Sequence, residues 1–233
     1  TMTEQWISIK SSDGFATDVF VSRPEVPAKA AVIVGMEIFG VNSHIQEVCK
    51  RLAGEGYVAI APQLFDRIQK NVDMGYSADD VAQGKALKQQ AEDGLQAVIA
   101  SDIQACIDWA YDHEGVNKVG MMGFCWGGLN TWRAAQHAQS LWAAICYYGG
   151  GMVAENELAD KPVAPVLAHF SDSDATTPPD GIATLRERYG EEAVVYEYPA
   201  AHGFNCDQRG AYNQGAAEVA WQRSLAFLRM CLQ

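Results

Sequence analysis

The sequence predicts one α/β domain: a mostly parallel central sheet with helices on both faces. Three observations carry that expectation. Strand-like apolar runs alternate with stretches of helical period along nearly the whole chain. The clearest run, Ala30–Met36, is apolar throughout rather than at alternate positions, as a strand covered on both sides requires. No repeat, low-complexity tract or linker interrupts the 233 residues, so a single domain over 1–233 is expected.

Trp6–Ile9 and Phe15–Val21 read as a hairpin joined through Ser11-Ser12-Asp13-Gly14. Ala30–Met36 is the first buried strand. The helix after it shows a capping box from Ser43 to Gln46 and an apolar stripe of Ile45, Val48, Cys49 and Leu52. Gly54-Glu55-Gly56 ends it, and Tyr57–Pro62 is the next strand. From about 66 to 93 the chain turns polar and aperiodic, a lid-like excursion that becomes partly helical after Ser77. Leu95, Val98, Ile99, Ile103, Cys106 and Ile107 then trace a helix face. Further strands are expected at Lys118–Phe124, Ala143–Tyr148, Val163–Phe170 and Val194–Tyr198, with helices at Leu129–His137, Ile182–Tyr189 and Glu218–Met230. The N-terminal hairpin gives the sheet a short antiparallel edge.

The chain carries 29 acidic against 17 basic residues, a formal net charge of −12, with no basic cluster. That field argues against nucleic acid and anionic membranes as partners. No apolar run approaches the roughly 18–20 residues of a membrane span, and the N-terminal residues lack a signal-peptide pattern. A cytoplasmic protein is expected, monomeric or a small homo-oligomer. The six cysteines form no CxxC pair and mostly sit in apolar stretches, as free core thiols do.

Cys125 differs from the rest. It stands in Gly123-Phe124-Cys125-Trp126-Gly127-Gly128, between a strand pattern and a helix pattern. This is the nucleophile elbow of α/β-hydrolases, G-x-S-x-G, with sulfur in place of oxygen. The turn is too cramped for side chains at Gly123 and Gly127. It also lifts the thiol to a helix N-terminus, where a thiolate is favoured and the Trp126 amide can meet an oxyanion.

On this scaffold the acid and then the histidine follow the nucleophile in chain order. Three histidines lie downstream of Cys125. His137 falls on the helix after the elbow, facing away from the strand ends, and His169 reads as a packed strand residue. His202, in a loop past the Val194–Tyr198 strand, stands where a general base belongs. The acid comes from Ser171–Pro178, where Asp172 and Asp174 both fit, while Asp180 reads as a helix cap.

With these residues in order, the chain resembles the dienelactone hydrolase family over nearly its whole length. The resemblance rests on Glu37-Ile38-Phe39-Gly40-Val41-Asn42, the Cys125 elbow, Asp174 with Pro178 four positions on, and Ala201-His202-Gly203-Phe204. It implies an α/β-hydrolase fold and selects Asp174 over Asp172. It also implies that Glu37 contacts the resting thiol until substrate displaces it, and that the Ile38 amide is a second oxyanion donor beside Trp126. The family's best-known members clamp a substrate carboxylate with two arginines. Here the position four residues after the histidine is Cys206, and the segment 78–90 offers Lys85 and Lys88 but no arginine. Arg67 and Arg209 are candidate substitutes, and Phe39 and Phe204 candidate substrate contacts, although core packing is the commoner fate of such aromatics.

The expected activity is hydrolysis of small ester or lactone substrates through Cys125, His202 and Asp174 by way of a thioester, with no cofactor or metal. A thioesterase or acyltransferase on the same triad is the first alternative. A thiol redox sensor or metal-binding protein using Cys125, Cys206 and His202 is the second, although these three have no recognised metal spacing, and a non-catalytic binding module on the same fold is the third.

Overall fold

The computed structural model describes residues 3–233. Among these residues eight strands form one sheet in the order β1-β2-β4-β3-β5-β6-β7-β8. β1 (Thr3–Lys10), β2 (Ala16–Arg23) and β4 (Val58–Pro62) pair antiparallel in sequence. β3 (Ala30–Gly35), β5 (Lys118–Phe124), β6 (Leu141–Tyr147), β7 (Val166–Ser173) and β8 (Ala193–Ala201) continue it in parallel, as β4 does with β3. Every residue of β3 is buried, which is why that run shows no alternation.

Helix α1 (Ser43–Gly54) and the closing helix α6 (Gln214–Leu232) meet where the Arg51 guanidinium lies 4.0 Å over the Trp221 ring. Helices α3 (Gln96–Glu114) and α4 (Trp126–His137) pack on the sheet and on each other, and α5 (Pro179–Tyr189) on β8. Among the described residues no helix is long and apolar enough to cross a membrane.

Local details correct the sequence reading. Asn42, one residue earlier than expected, caps α1: its side chain accepts from the Ile45 amide, and Gln46 donates to the Val41 carbonyl instead of closing a capping box. Pro178 caps α5, leaving Asp180 in the first turn, where its charge still suits the helix dipole. β7 starts at Val166, because Val163 is 81% exposed on the approach.

The excursion holds a regular helix, α2 (Ala78–Glu92), with a reciprocal Ser77–Asp80 capping box. It is tied down at both ends. Before it, Met74 donates its amide to Phe39 O, and Gly40 pairs with Asp73 so closely that a Cβ on Gly40 would meet Val72 O at 1.8 Å. At its far end, Glu92 binds Arg133 of α4 through two hydrogen bonds of 2.9 and 2.7 Å, and Arg133 also binds Glu157. The segment is therefore a docked cover, fixed by backbone bonds before α2 and by ion pairs at its far end, with Gly84, Leu87 and Ala91 buried between them.

Candidate active site

Glu37 follows β3, Cys125 follows β5, Asp174 follows β7 and His202 follows β8. All four stand at the carboxyl edge of the parallel strands, where this architecture places ligands.

Cys125 sits at φ 59° and ψ −120°, a conformation costly for a non-glycine residue. The turn is locked by close backbone approach. A Cβ on Gly123 would meet Gly127 O at 2.0 Å, and one on Gly127 would meet Gly35 O at 2.2 Å. Thr131 Oγ1 donates to Gly127 O at 2.7 Å and the Cys125 amide to Tyr147 O at 3.0 Å, so neighbouring elements hold the strained residue in place.

The sulfur faces the histidine: His202 Nε2 lies 3.0 Å from Cys125 Sγ, and its Nδ1 lies 2.5 Å from Asp174 Oδ2. The other Asp174 oxygen accepts from the Thr176 amide at 2.9 Å and hydroxyl at 2.6 Å. Burial disfavours the His202 imidazolium, yet the Cys125 sulfur and the Asp174 carboxylate outweigh it and push the pKa up to about 10. Burial raises the Asp174 carboxyl, but the hydrogen bonds from His202 and Thr176 prevail and hold it below its usual range. Asp172 points elsewhere, accepting from the Ser173 hydroxyl.

A cavity of about 380 Å³ opens over the sulfur and is walled by Ile38, Phe39 and Trp126. Ile38 and Trp126, whose amides are the oxyanion donors expected from the sequence, thus both stand at the cavity beside the sulfur. Trp126 is pinned by stacking on Phe65 at 4.9 Å and by donating its indole N–H to Glu92 at 3.2 Å. From α2, Val81, Lys85 and Lys88 line the opposite wall at spacings of four and three, one helix face.

Glu37 is fully buried, but no hydrogen bond joins it to Cys125. Its Oε1 accepts from Tyr76 at 2.6 Å, and its Oε2 faces Arg209 Nη1 at 3.9 Å. The resting contact implied by the family resemblance is thus absent, and the sulfur is engaged by His202 instead. Arg209 lines the cavity, over the Phe39 and Tyr76 rings.

Two other candidates fall outside the cavity. Arg67 is engaged by Asp102 and Asp13, anchoring the N-terminal hairpin to α3. Phe204 is fully buried behind the site, packed against Tyr148 at 5.0 Å and Tyr198 at 5.2 Å. Apolar packing claims Phe204 and ion pairing claims Arg67. His169 is a packed strand residue, bonded to Tyr198 and Ser224, with burial pushing its pKa down to about 3. His137 is exposed beside Asp160.

Tyr76, Thr176 and the Glu92–Arg133 pair escaped the sequence reading. Thr176 was accessible, since a hydroxyl two residues after an aspartate commonly bonds it. Tyr76 reaches Glu37 across 39 positions and carries no local signal.

Residues 17–232 match the dienelactone hydrolase family model. A Synechocystis protein provisionally named carboxymethylenebutenolidase is 37% identical over 206 residues, covering 82% of each chain. A Salmonella typhi protein with the same provisional name is 35% identical over 230 residues, covering 92% of this chain and 83% of its own. A crystal structure from Klebsiella pneumoniae, provisionally named a dienelactone hydrolase, superposes with a TM-score of 0.83 at 31% identity, covering 98% of this chain and 99% of that one. This chain belongs to the dienelactone hydrolase family and is a hydrolase with the α/β-hydrolase fold.

Proposed function

We propose that the chain hydrolyses small ester and lactone substrates by covalent catalysis at Cys125, with His202 as acid–base and Asp174 as its orienting partner. The supporting observation is the continuous Sγ–imidazole–carboxylate line, 3.0 Å and then 2.5 Å, beneath a cavity lined by Ile38 and Trp126.

The Cys125 thiol gives its proton to His202 Nε2, and the sulfur attacks the carbonyl carbon. The carbonyl π pair moves to oxygen, held by the Ile38 and Trp126 amides. When the C–O bond of the ester breaks, the leaving oxygen takes the proton from His202 and a thioester remains on Cys125. His202 then removes a proton from water, the hydroxyl adds to the thioester, and collapse expels the thiolate, which recovers the proton. Each step uses only these residues and water. Tyr76 and Arg209 hold Glu37 aside, so the thiol is left to the imidazole.

Lys85, Lys88 and Arg209 give the cavity a cationic wall in a protein of net charge −12, which favours an ester bearing a carboxylate. Acid-quench of the enzyme turning over p-nitrophenyl acetate, followed by peptide mapping, tests the covalent step. The reading expects acetyl on the Cys125 peptide, released by neutral hydroxylamine; acetyl on any other residue refutes it.

A further inference from the structure

A second group of ligand-type side chains lies beside the catalytic one. A Glu37 carboxylate oxygen, a His44 ring nitrogen and Cys206 Sγ all lie within 4.8 Å of one another. Their exposures are 0%, 5% and 0%, and they come from the loop after β3, the first turn of α1 and the loop after His202. Among the described residues, Glu37 Oε2 and His44 Nε2 are buried and make no hydrogen bond. Buried polar atoms left in that condition are costly, and two together in one cluster point to a shared partner.

We propose that Glu37, His44 and Cys206 bind one divalent transition-metal ion of the zinc class. A carboxylate, an imidazole and a thiolate form a mixed oxygen, nitrogen and sulfur set, which suits Zn²⁺ or Co²⁺ and not the all-oxygen preference of Ca²⁺ or Mg²⁺. Ligand bonds of about 2.0–2.3 Å put tetrahedral ligand atoms about 3.5 Å apart, so closure needs side-chain adjustments of about an ångström. The carboxylate and the thiolate balance the two positive charges, and the Cys206 thiol proton leaves to solvent on binding.

A cavity of about 300 Å³ supplies a route. His44 and Asn205 stand in its wall together with Glu47, Asp207 and Glu218, three carboxylates against the single guanidinium of Arg51, a balance that favours cations. Arg209, 3.9 Å from Glu37, is the competing cation and must yield. The bound ion would join the loop carrying the Ile38 amide to the segment that follows His202. The site uses none of Cys125, His202 and Asp174, so metal binding can be read without the thioester, although it shares Glu37 and its partner Arg209 with the edge of the proposed catalytic site.

Co²⁺ titration of the purified Cys125→Ala protein is the test, because the nucleophile could itself ligate a metal. One equivalent should produce a thiolate-to-cobalt charge-transfer band that Zn²⁺ bleaches. Adding Cys206→Ser should abolish the band, His44→Gln should weaken binding at least about tenfold, and Arg209→Ala should tighten it several-fold. A Cys125→Ala protein with no such band overturns the proposal whether or not the cluster variants fold. A band that survives Cys206→Ser overturns it as well.

Discussion

Gly84 of α2 lies so close to Ile38 that a Cβ would come within 2.5 Å of the Ile38 carbonyl oxygen and 2.9 Å of its side chain. The cover helix therefore rests directly on the residue whose amide the proposed mechanism uses as an oxyanion donor. Gly84→Ala should push the loop aside and lower kcat by about 10²-fold, the scale of losing one oxyanion donor. KM should change little, and Gln83→Ala, on the exposed side of the same helix, should behave as wild type. Steady-state kinetics on one activated ester checks this.

The cationic wall makes a separate prediction. Replacing Lys85 or Lys88 with Gln should raise KM for an ester carrying a carboxylate by about two- to fivefold, since part-exposed ion pairs are worth about 0.2–1 kcal/mol. A neutral ester of the same size should be unaffected. Added salt should erase the difference, because it screens exposed charge.

His202 links the site to pH. Its folded pKa is about 10 against an ordinary 6.5, so its contribution to stability is fully present below about pH 6.5 and is lost as pH rises towards 10. The Tm advantage of wild type over His202→Gln should shrink across that window. Asp174 acts in the opposite direction: its lowered pKa contributes stability at neutral pH that is lost as the carboxylate protonates in acid. Thermal melts of both proteins at several pH values decide the matter.

The ionic anchor of α2 should be visible in stability. Arg133→Met leaves the Glu92 and Glu157 carboxylates, only 19% and 15% exposed, without their shared partner. The expected cost is about 2 kcal/mol in urea denaturation, below the 3–5 kcal/mol of a fully buried pair because water still reaches these groups. Glu92→Gln, which retains a hydrogen-bonding group, should cost less.

What the sequence disclosed follows from how local each signal is. The elbow was legible because Gly123 and Gly127 answer a steric demand made within five residues, and Ala30–Met36 because burial on both faces erases alternation. His202 and Asp174 were legible by chain order, with the family resemblance needed to separate Asp174 from Asp172. Partnerships that cross the fold were hidden. Tyr76 meets Glu37, Arg67 meets Asp102 and Arg133 meets Glu92 only after the chain closes. Arg67 and Arg209 looked alike in the sequence, yet one braces α3 while the other lines the cavity. Cys206 resembled the core thiols, yet it lies among Glu37, His44 and Tyr76.

The central claim is that the Cys125 sulfur is the group that attacks the ester carbonyl. The turnover number of Cys125→Ala on p-nitrophenyl acetate, with folding verified by circular dichroism, tests it most directly. The account predicts a fall of about 10⁴-fold or more, as for other catalytic triads. A variant that retains activity within about tenfold of wild type would contradict it.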